Sequence, residues 1–223
     1  MSVTLGVSDA VKAYVQHWGV REAPVLAKCR AETNALPNAM MQISPEQGAL
    51  MQVLATALRA RRALEVGVFT GYSSTAVALA MQAMHGEEAE LVACDISEDF
   101  VGRARGYWKE AGVAGIIATR VAPAAESLKA LIAEGRAGAF DMMFIDADKT
   151  GYDAYYDLGL QLLRQGGMML IDNMLWSGAV ADPSVATPDT VALRALAAKI
   201  HGDARVEMTL ATVGDGLSII VKR

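Results

Sequence analysis

Cysteine is nearly absent from this chain: Cys29 and Cys94 are its only two, far apart and outside any C-x-x-C or zinc-finger spacing. They can build neither a disulfide framework nor a cysteine-based metal site, and a reducing, cytoplasmic compartment suits them. Basic runs are missing too. The Arg59-Ala-Arg-Arg62 cluster reads as a solvated helix end, and a formal net charge of −5 argues against a nucleic-acid partner. No apolar run reaches the roughly 18–20 residues needed to cross a bilayer, so no membrane partner is expected. The N-terminus also lacks the basic-then-apolar pattern of a secretion signal. No Ser/His/Asp triad is readable, since His17, His85 and His201 fall at scattered positions. There is no internal repeat, low-complexity tract or linker. The 223 residues are read as one domain, 1–223, long enough for a full core.

What is abundant is apolar. Hydrophobic residues make up 53% of the chain, with the excess in Ala and Met, which suggests a well-covered sheet and an oligomer interface. Residues 8–35 read as helical but interrupted at Pro24. Ser44-Pro45-Glu46-Gln47 is a helix start, with a Ser cap, Pro at the first position and Gln three residues on. Ala49, Leu50, Val53, Leu54, Ala57 and Leu58 follow at helical spacing and are expected to form its buried stripe. Thereafter strands alternate with helices: strands at 91–95, 116–121, 141–146 and 168–171 follow the apolar run that ends at Gly67. Such alternation predicts an α/β fold with a doubly wound, mostly parallel sheet. Residues 206–213 and 217–222 flank Gly214-Asp215-Gly216 and predict a C-terminal antiparallel hairpin.

The first strand-to-helix turn lies in Ala63-Leu-Glu-Val-Gly-Val-Phe-Thr-Gly-Tyr-Ser-Ser-Thr75, where open α/β folds bind cofactors. A dinucleotide fingerprint would read G-x-G-x-x-G; here the spacing is Gly67-x-x-x-Gly71. Glu65, on the strand, would repel a phosphate and suit a cationic group. Asp95, closing the next strand, is positioned to accept ribose hydroxyls. Acid, glycines and second acid describe an adenosyl cofactor with a cationic, phosphate-free tail, S-adenosylmethionine (SAM). The alternative is a nicotinamide dinucleotide, which would make the chain an NAD(P)-dependent oxidoreductase.

Two further strands end in acids: Asp146-Ala-Asp148-Lys149 and Asp172-Asn173. If these strands are neighbours, Asp146, Asp172 and Asn173 converge. Their hard oxygen donors suit a divalent cation, Mg²⁺ first and Mn²⁺ or Ca²⁺ as alternatives, and not Zn²⁺. A phenol of pKa near ~10 is mostly protonated at neutral pH; coordination would stabilise its phenolate, and a vicinal diol would chelate the ion. Lys149, three residues beyond Asp146, is the expected general base. On this reading residues 1–43 are an N-terminal helical lid or oligomer segment, and 44–223 the SAM- and metal-binding core.

At these residues the chain resembles the cation-dependent O-methyltransferases, the group that contains caffeoyl-CoA O-methyltransferase and, more distantly, catechol O-methyltransferase. The matching pieces are Met41-Gln-Ile-Ser-Pro-Glu-Gln-Gly48, Glu65 to Ser73, Asp146 to Lys149, Asp172-Asn-Met-Leu-Trp-Ser-Gly178 and Val213-Gly-Asp-Gly216. The resemblance implies a seven-stranded, Rossmann-like class I SAM-dependent methyltransferase fold, usually a homodimer. It implies metal binding by Asp146, Asp172 and Asn173, with Lys149 as base. Glu65, Gly67, Val68, Ser73 and Asp95 would line the SAM site, Met41 and Ile43 would close over it, Ala124 would approach the adenine and Asp148 the methionine end. The segment 178–203 is shorter than in the plant members and lacks tyrosine. That points away from a CoA thioester and toward the bacterial branch and small catechols. Trp176, Met174 and the 179–190 loop are the expected substrate wall. A catalytically silent SAM-binding protein is the remaining alternative.

Overall fold

The computed structural model describes residues 7–223; residues 1–6 of the expected N-terminal segment lie outside the described residues. Helices α1 (Asp9–Gly19) and α2 (Pro24–Thr33) come first, with the expected interruption between them and Pro24 as the first residue of α2. A short turn at Ala39–Met41 leads to α3 (Pro45–Leu58). Then follow β1 (Arg62–Val66), α4 (Tyr72–His85), β2 (Glu90–Asp95), α5 (Glu98–Glu110), β3 (Ile117–Val121), α6 (Ala124–Ala133) and β4 (Phe140–Ile145). The chain closes with α7 (Tyr152–Leu162), β5 (Leu163–Ile171), α8 (Pro188–Gly202), β6 (Val206–Ala211) and β7 (Leu217–Lys222).

These strands form one seven-stranded sheet in the order β3-β2-β1-β4-β5-β7-β6. The first five are parallel; β7 runs antiparallel to both β5 and β6, so the expected hairpin supplies the sheet's last two strands. Chain direction across the sheet reverses between β1 and β4, and the crevice beyond their carboxyl ends is where such folds hold ligands.

Helices cover both faces. Alternation along β1 sends Ala63 to the face packed by α3, α4 and α5, with Met51, Met81 and Trp108, and Leu64 and Val66 to the face packed by α6, α7 and α8. Leu128, Leu131, Tyr152, Tyr156, Leu193 and Leu196 are buried on that second face. Truncating Leu131, which is fully buried, to Ala would cost about 2–5 kcal/mol.

Three elements differ from the sequence expectation. In α3 the buried residues are Gln47, Gly48, Met51 and Ala55; Leu50, Leu54 and Leu58 are partly buried and Val53 is 63% exposed. The helix is thus turned to bring Gln47, not the apolar stripe, onto the sheet end. Strand β5 begins at Leu163, five residues early, because Gly166 in the left-handed region (φ 71) and Gly167 run within the strand instead of ending α7. Finally, the expected 179–190 loop ends early, because residues 188–202 form α8, capped by Thr187, whose hydroxyl accepts from Thr190 N.

Candidate active site

The turn after β1 is built around glycine. Gly67 has φ +91, and a Cβ there would lie 1.8 Å from the carbonyl oxygen of Asp146. Only glycine lets the cofactor turn press against the end of β4. Gly71 (φ +87) serves a different need: a Cβ would sit 2.6 Å from that of Ala104, so this glycine lets α4 and α5 pack. Val68 is buried, and Phe69 stacks edge-on against Phe100 at 4.8 Å.

Asp95 closes β2 and holds this turn. Its Oδ2 accepts from Val68 N (2.7 Å) and Phe69 N (3.1 Å), and its Oδ1 from Ser97 N (2.8 Å). A carboxylate offers about four acceptor positions, so the backbone occupies most of them and only Oδ1 keeps a free position. Ala124 opens α6, after β3, at the same sheet end.

Glu65 lies deep in β1 and is only 2% exposed. Ser73 Oγ donates to its Oε1, while Oε2 is buried with no partner. Burial pushes this carboxyl up to about 8, against the bonds from Ser73 and Ser74. A cationic group brought against the orphaned oxygen would favour the ionised form, so the residues present fit a ligand with a positive end.

Strands β4 and β5 are paired Ile145 to Ile171, so Asp146 and Asp172 follow adjacent strand ends. Asp172 is buried; its Oδ2 accepts from Gln47 Nε2 (2.8 Å) and its Oδ1 from Asn173 N (2.7 Å). Burial first, and the neighbouring charge of Asp146 second, raise the Asp172 carboxyl above the usual range. Asn173 has φ 59 and donates through Nδ2 to Asp215 Oδ2 (3.3 Å). Among the described residues no three His, Cys, Asp or Glu side chains gather as a metal cage. Two repelling carboxylates and a carboxamide instead fit a hard divalent ion that keeps water or substrate oxygens on its remaining positions.

Lys149 is buried. Its ammonium donates to Asp146 Oδ1 (3.0 Å) and Tyr152 OH (2.7 Å) and lies 5.5 Å from the centre of the Trp176 ring. The structure therefore brings Asp146, Lys149, Asp172, Asn173 and Trp176 together at the strand ends beside Gly67. Asp148 is exposed and accepts from Tyr155 OH (2.6 Å). Met41 is 51% exposed, whereas Ile43 is buried and belongs to the first core. Met174, expected at the substrate wall, is 2% exposed and packed in the second core, so it is a core residue.

Sequence reasoning passes over Gln47, Tyr152 and Tyr155. In the sequence Gln47 reads as a helix-cap partner. Its backbone N–H does donate to Ser44 Oγ (3.4 Å), but its side chain reaches across 125 positions to Asp172. The i,i+3 spacing of Lys149 and Tyr152 is the available signal for the second.

A sheet of this order with an acid-and-glycine turn at β1 defines a class I SAM-dependent methyltransferase. The family model described as O-methyltransferase matches residues 16–223, and the chain belongs to that family. It is 44% identical over 184 residues (82% of this chain, 78% of the relative) to Probable caffeoyl-CoA O-methyltransferase 1 of Dictyostelium discoideum. It is 37% identical over 209 residues (94% and 78%) to Catechol O-methyltransferase domain-containing protein 1 of Mus musculus. Among solved structures, the O-methyltransferase TomG from Streptomyces achromogenes, in complex with SAM, superposes with a TM-score of 0.82 at 31% identity, covering 96% of each chain. This chain is an enzyme of the SAM-dependent O-methyltransferase type, which sets aside the oxidoreductase alternative.

Proposed function

We propose that the enzyme transfers the SAM methyl group to one hydroxyl of a catechol-type small molecule and requires a divalent cation to do so. The observation that carries this reading is the pairing of Asp146 and Asp172 at adjacent strand ends, with Lys149 3.0 Å from Asp146. Asp146, Asp172 and Asn173 would hold the ion, Mg²⁺ by preference. When bound, it supplies positive charge beside the two phenolic oxygens. The names of two relatives, Probable caffeoyl-CoA O-methyltransferase 1 and Catechol O-methyltransferase domain-containing protein 1, are in keeping with a phenolic acceptor of this class.

The chain's own residues divide the remaining work. Lys149 would take the phenolic proton in its neutral amine form, after losing its own extra proton to solvent, and Tyr152 OH, 2.7 Å from its Nζ, helps to place that nitrogen. Trp176 walls the ring next to Lys149. Glu65, Gly67, Val68, Ser73 and Asp95 seat the donor, with Ala124 beside its adenine, Asp148 at its methionine end and Met41 and Ile43 above it. The fold's contribution is positioning, so that an oxygen of the bound ring faces the methyl carbon in line with its sulfur bond.

Homodimer formation belongs to the same proposal. Helix α1 buries none of its residues, and Val11, Tyr14, Val15 and Trp18 lie along it at positions i, i+3, i+4 and i+7 with 40–71% exposure. A reducing, cytoplasmic location is supported by Cys29 and Cys94, both free and buried, and no helix among the described residues is long and apolar enough to cross a membrane. Methylation of catechols but not monophenols, abolished by chelator and restored by Mg²⁺, tests the function.

A further inference from the structure

The turn that carries Asn173 and Trp176 is held in an unfavourable backbone conformation. Asn173 (φ 59), Trp176 (φ 46) and Ser177 (φ 52) all adopt the left-handed region without being glycine. Each such residue costs on the order of 1–2 kcal/mol, so neighbouring structure must impose the shape. The neighbour is the tip of the last hairpin, at Gly214-Asp215-Gly216. Met174 N donates to Gly216 O and Leu175 N to Asp215 O, each at 2.9 Å. A Cβ on Gly216 (φ +91) would come within 2.5 Å of Leu175 Cγ and 2.7 Å of its backbone nitrogen, so the tip fits against the turn only as glycine.

Asp215 completes the clasp. It is buried; Oδ1 accepts from Ser177 N at 2.6 Å, and Oδ2 accepts from Asn173 Nδ2 at 3.3 Å. A carboxamide has one donor end and one acceptor end, whereas an ionised carboxylate can only accept. Asp215 therefore selects the NH₂ end of Asn173 and leaves Oδ1 as the free end. A hard cation needs that oxygen and is repelled by the NH₂ group.

We propose that Asp215 is a positioning residue that orients the Asn173 carboxamide with its oxygen toward the Asp146–Asp172 pair and, through Ser177, fixes the turn that sets Trp176 beside Lys149. The proposal rests on the reading of Asp146, Asp172 and Asn173 as metal donors. It accounts for the Val213-Gly-Asp-Gly216 segment, in which the glycine permits the contact and the acid decides the polarity of the ligand behind it.

The proposal is tested by Mn²⁺ titration of the metal-free protein, followed by the EPR signal of free Mn²⁺, in four forms. Asp215→Asn keeps an acceptor for Ser177 N but presents an NH₂ group to Asn173; the Asn173 amide then turns its oxygen away from the ion. Affinity falls by about 10–100-fold, the range typical of groups that orient metal ligands. Asn173→Asp sets a carboxylate against Asp215 and gains no affinity despite its added charge. The double variant Asn173→Asp/Asp215→Asn lets the new carboxylate accept from the new NH₂ group and keeps one oxygen for the ion, so it binds at least about 10-fold tighter than Asn173→Asp alone. Thermal unfolding without metal separates reorientation from loss of fold, and if Asp215→Asn fails to fold, the comparison of Asn173→Asp with the double variant decides. Wild-type affinity in Asp215→Asn, or a double variant no tighter than Asn173→Asp, overturns the proposal. If the wild-type protein itself binds no Mn²⁺, the metal reading falls and takes this inference with it.

Discussion

Gln47, in the first turn of α3, donates a 2.8 Å hydrogen bond to Asp172 at the end of β5. This bond ties the helix that follows the Met41–Ile43 segment directly to the candidate metal site. Replacing Gln47 by Leu leaves a buried carboxylate oxygen without its donor, at a cost of about 1–3 kcal/mol. The expected result is a Tm lower by roughly 2–10 °C and a loss of kcat/KM of about 10-fold or more. Calorimetry and steady-state kinetics check both; unchanged kinetics would remove Gln47 from the site.

Gly67 and Gly135 share a left-handed φ (+91 and +80), but only Gly67 meets another atom, the Asp146 carbonyl at 1.8 Å from a built Cβ. Gly135→Ala should cost only the backbone term, about 1–2 kcal/mol. Gly67→Ala adds a clash between β1 and β4 and should lower Tm by roughly 10 °C or more, with loss of cofactor binding. Equal unfolding temperatures for the two variants would contradict this account of the turn.

The carboxyl ends of the strands are the most legible part of the sequence, because an apolar run that stops at an acid marks both the strand and its functional end. Asp95, Asp146 and Asp172 are all located in this way, whereas Glu65 lies inside its strand and is marked by the glycine turn that follows. What the pattern does not reveal is rotation. In α3 the period-3.6 stripe of Leu50, Val53 and Leu54 looks like the core face, yet polar Gln47 and small Gly48 face inward. A Cβ on Gly48 would touch the Tyr72 ring at 2.8 Å, which explains why a small residue is needed there. Asp95 is legible as a site residue, but not the fact that three backbone N–H groups already occupy it. Likewise Gly166-Gly167 reads as a stop signal in sequence and instead lies inside β5. Partners far along the chain, such as Asp215 for Asn173, leave no local signature.

Glu65 titrates near 8 in the folded chain without ligand, well above the usual glutamate value near ~4.3. The folded state therefore binds more protons than the unfolded state between these two values, and stability falls as pH rises through that window. Glu65→Gln removes the ionisable group, so the ligand-free variant should gain stability over wild type as pH goes from about 5 to 8, by roughly 10 °C at the upper end. The same variant should bind both SAM and S-adenosylhomocysteine more weakly, since both carry a cationic α-ammonium group and SAM adds the sulfonium charge. Parallel pH profiles for the two proteins would rule out this role for the buried carboxyl.

The apolar face of α1 predicts self-association. Light scattering of the wild-type protein should give twice the chain mass, and Trp18→Glu, which puts a charge where the ring is 71% exposed, should give the single-chain mass without loss of secondary structure. A monomeric wild type would refute the dimer.

The pairing of Asp146 with Asp172, beside Lys149, is tested most directly by chelation. The protein is stripped with EDTA and assayed with SAM on a catechol and on the corresponding monophenol, before and after Mg²⁺ is added back. Turnover of the catechol alone, lost on stripping and restored by Mg²⁺, is the predicted result. Equal turnover of both phenols, unaffected by EDTA, would contradict the metal-chelate reading of the site.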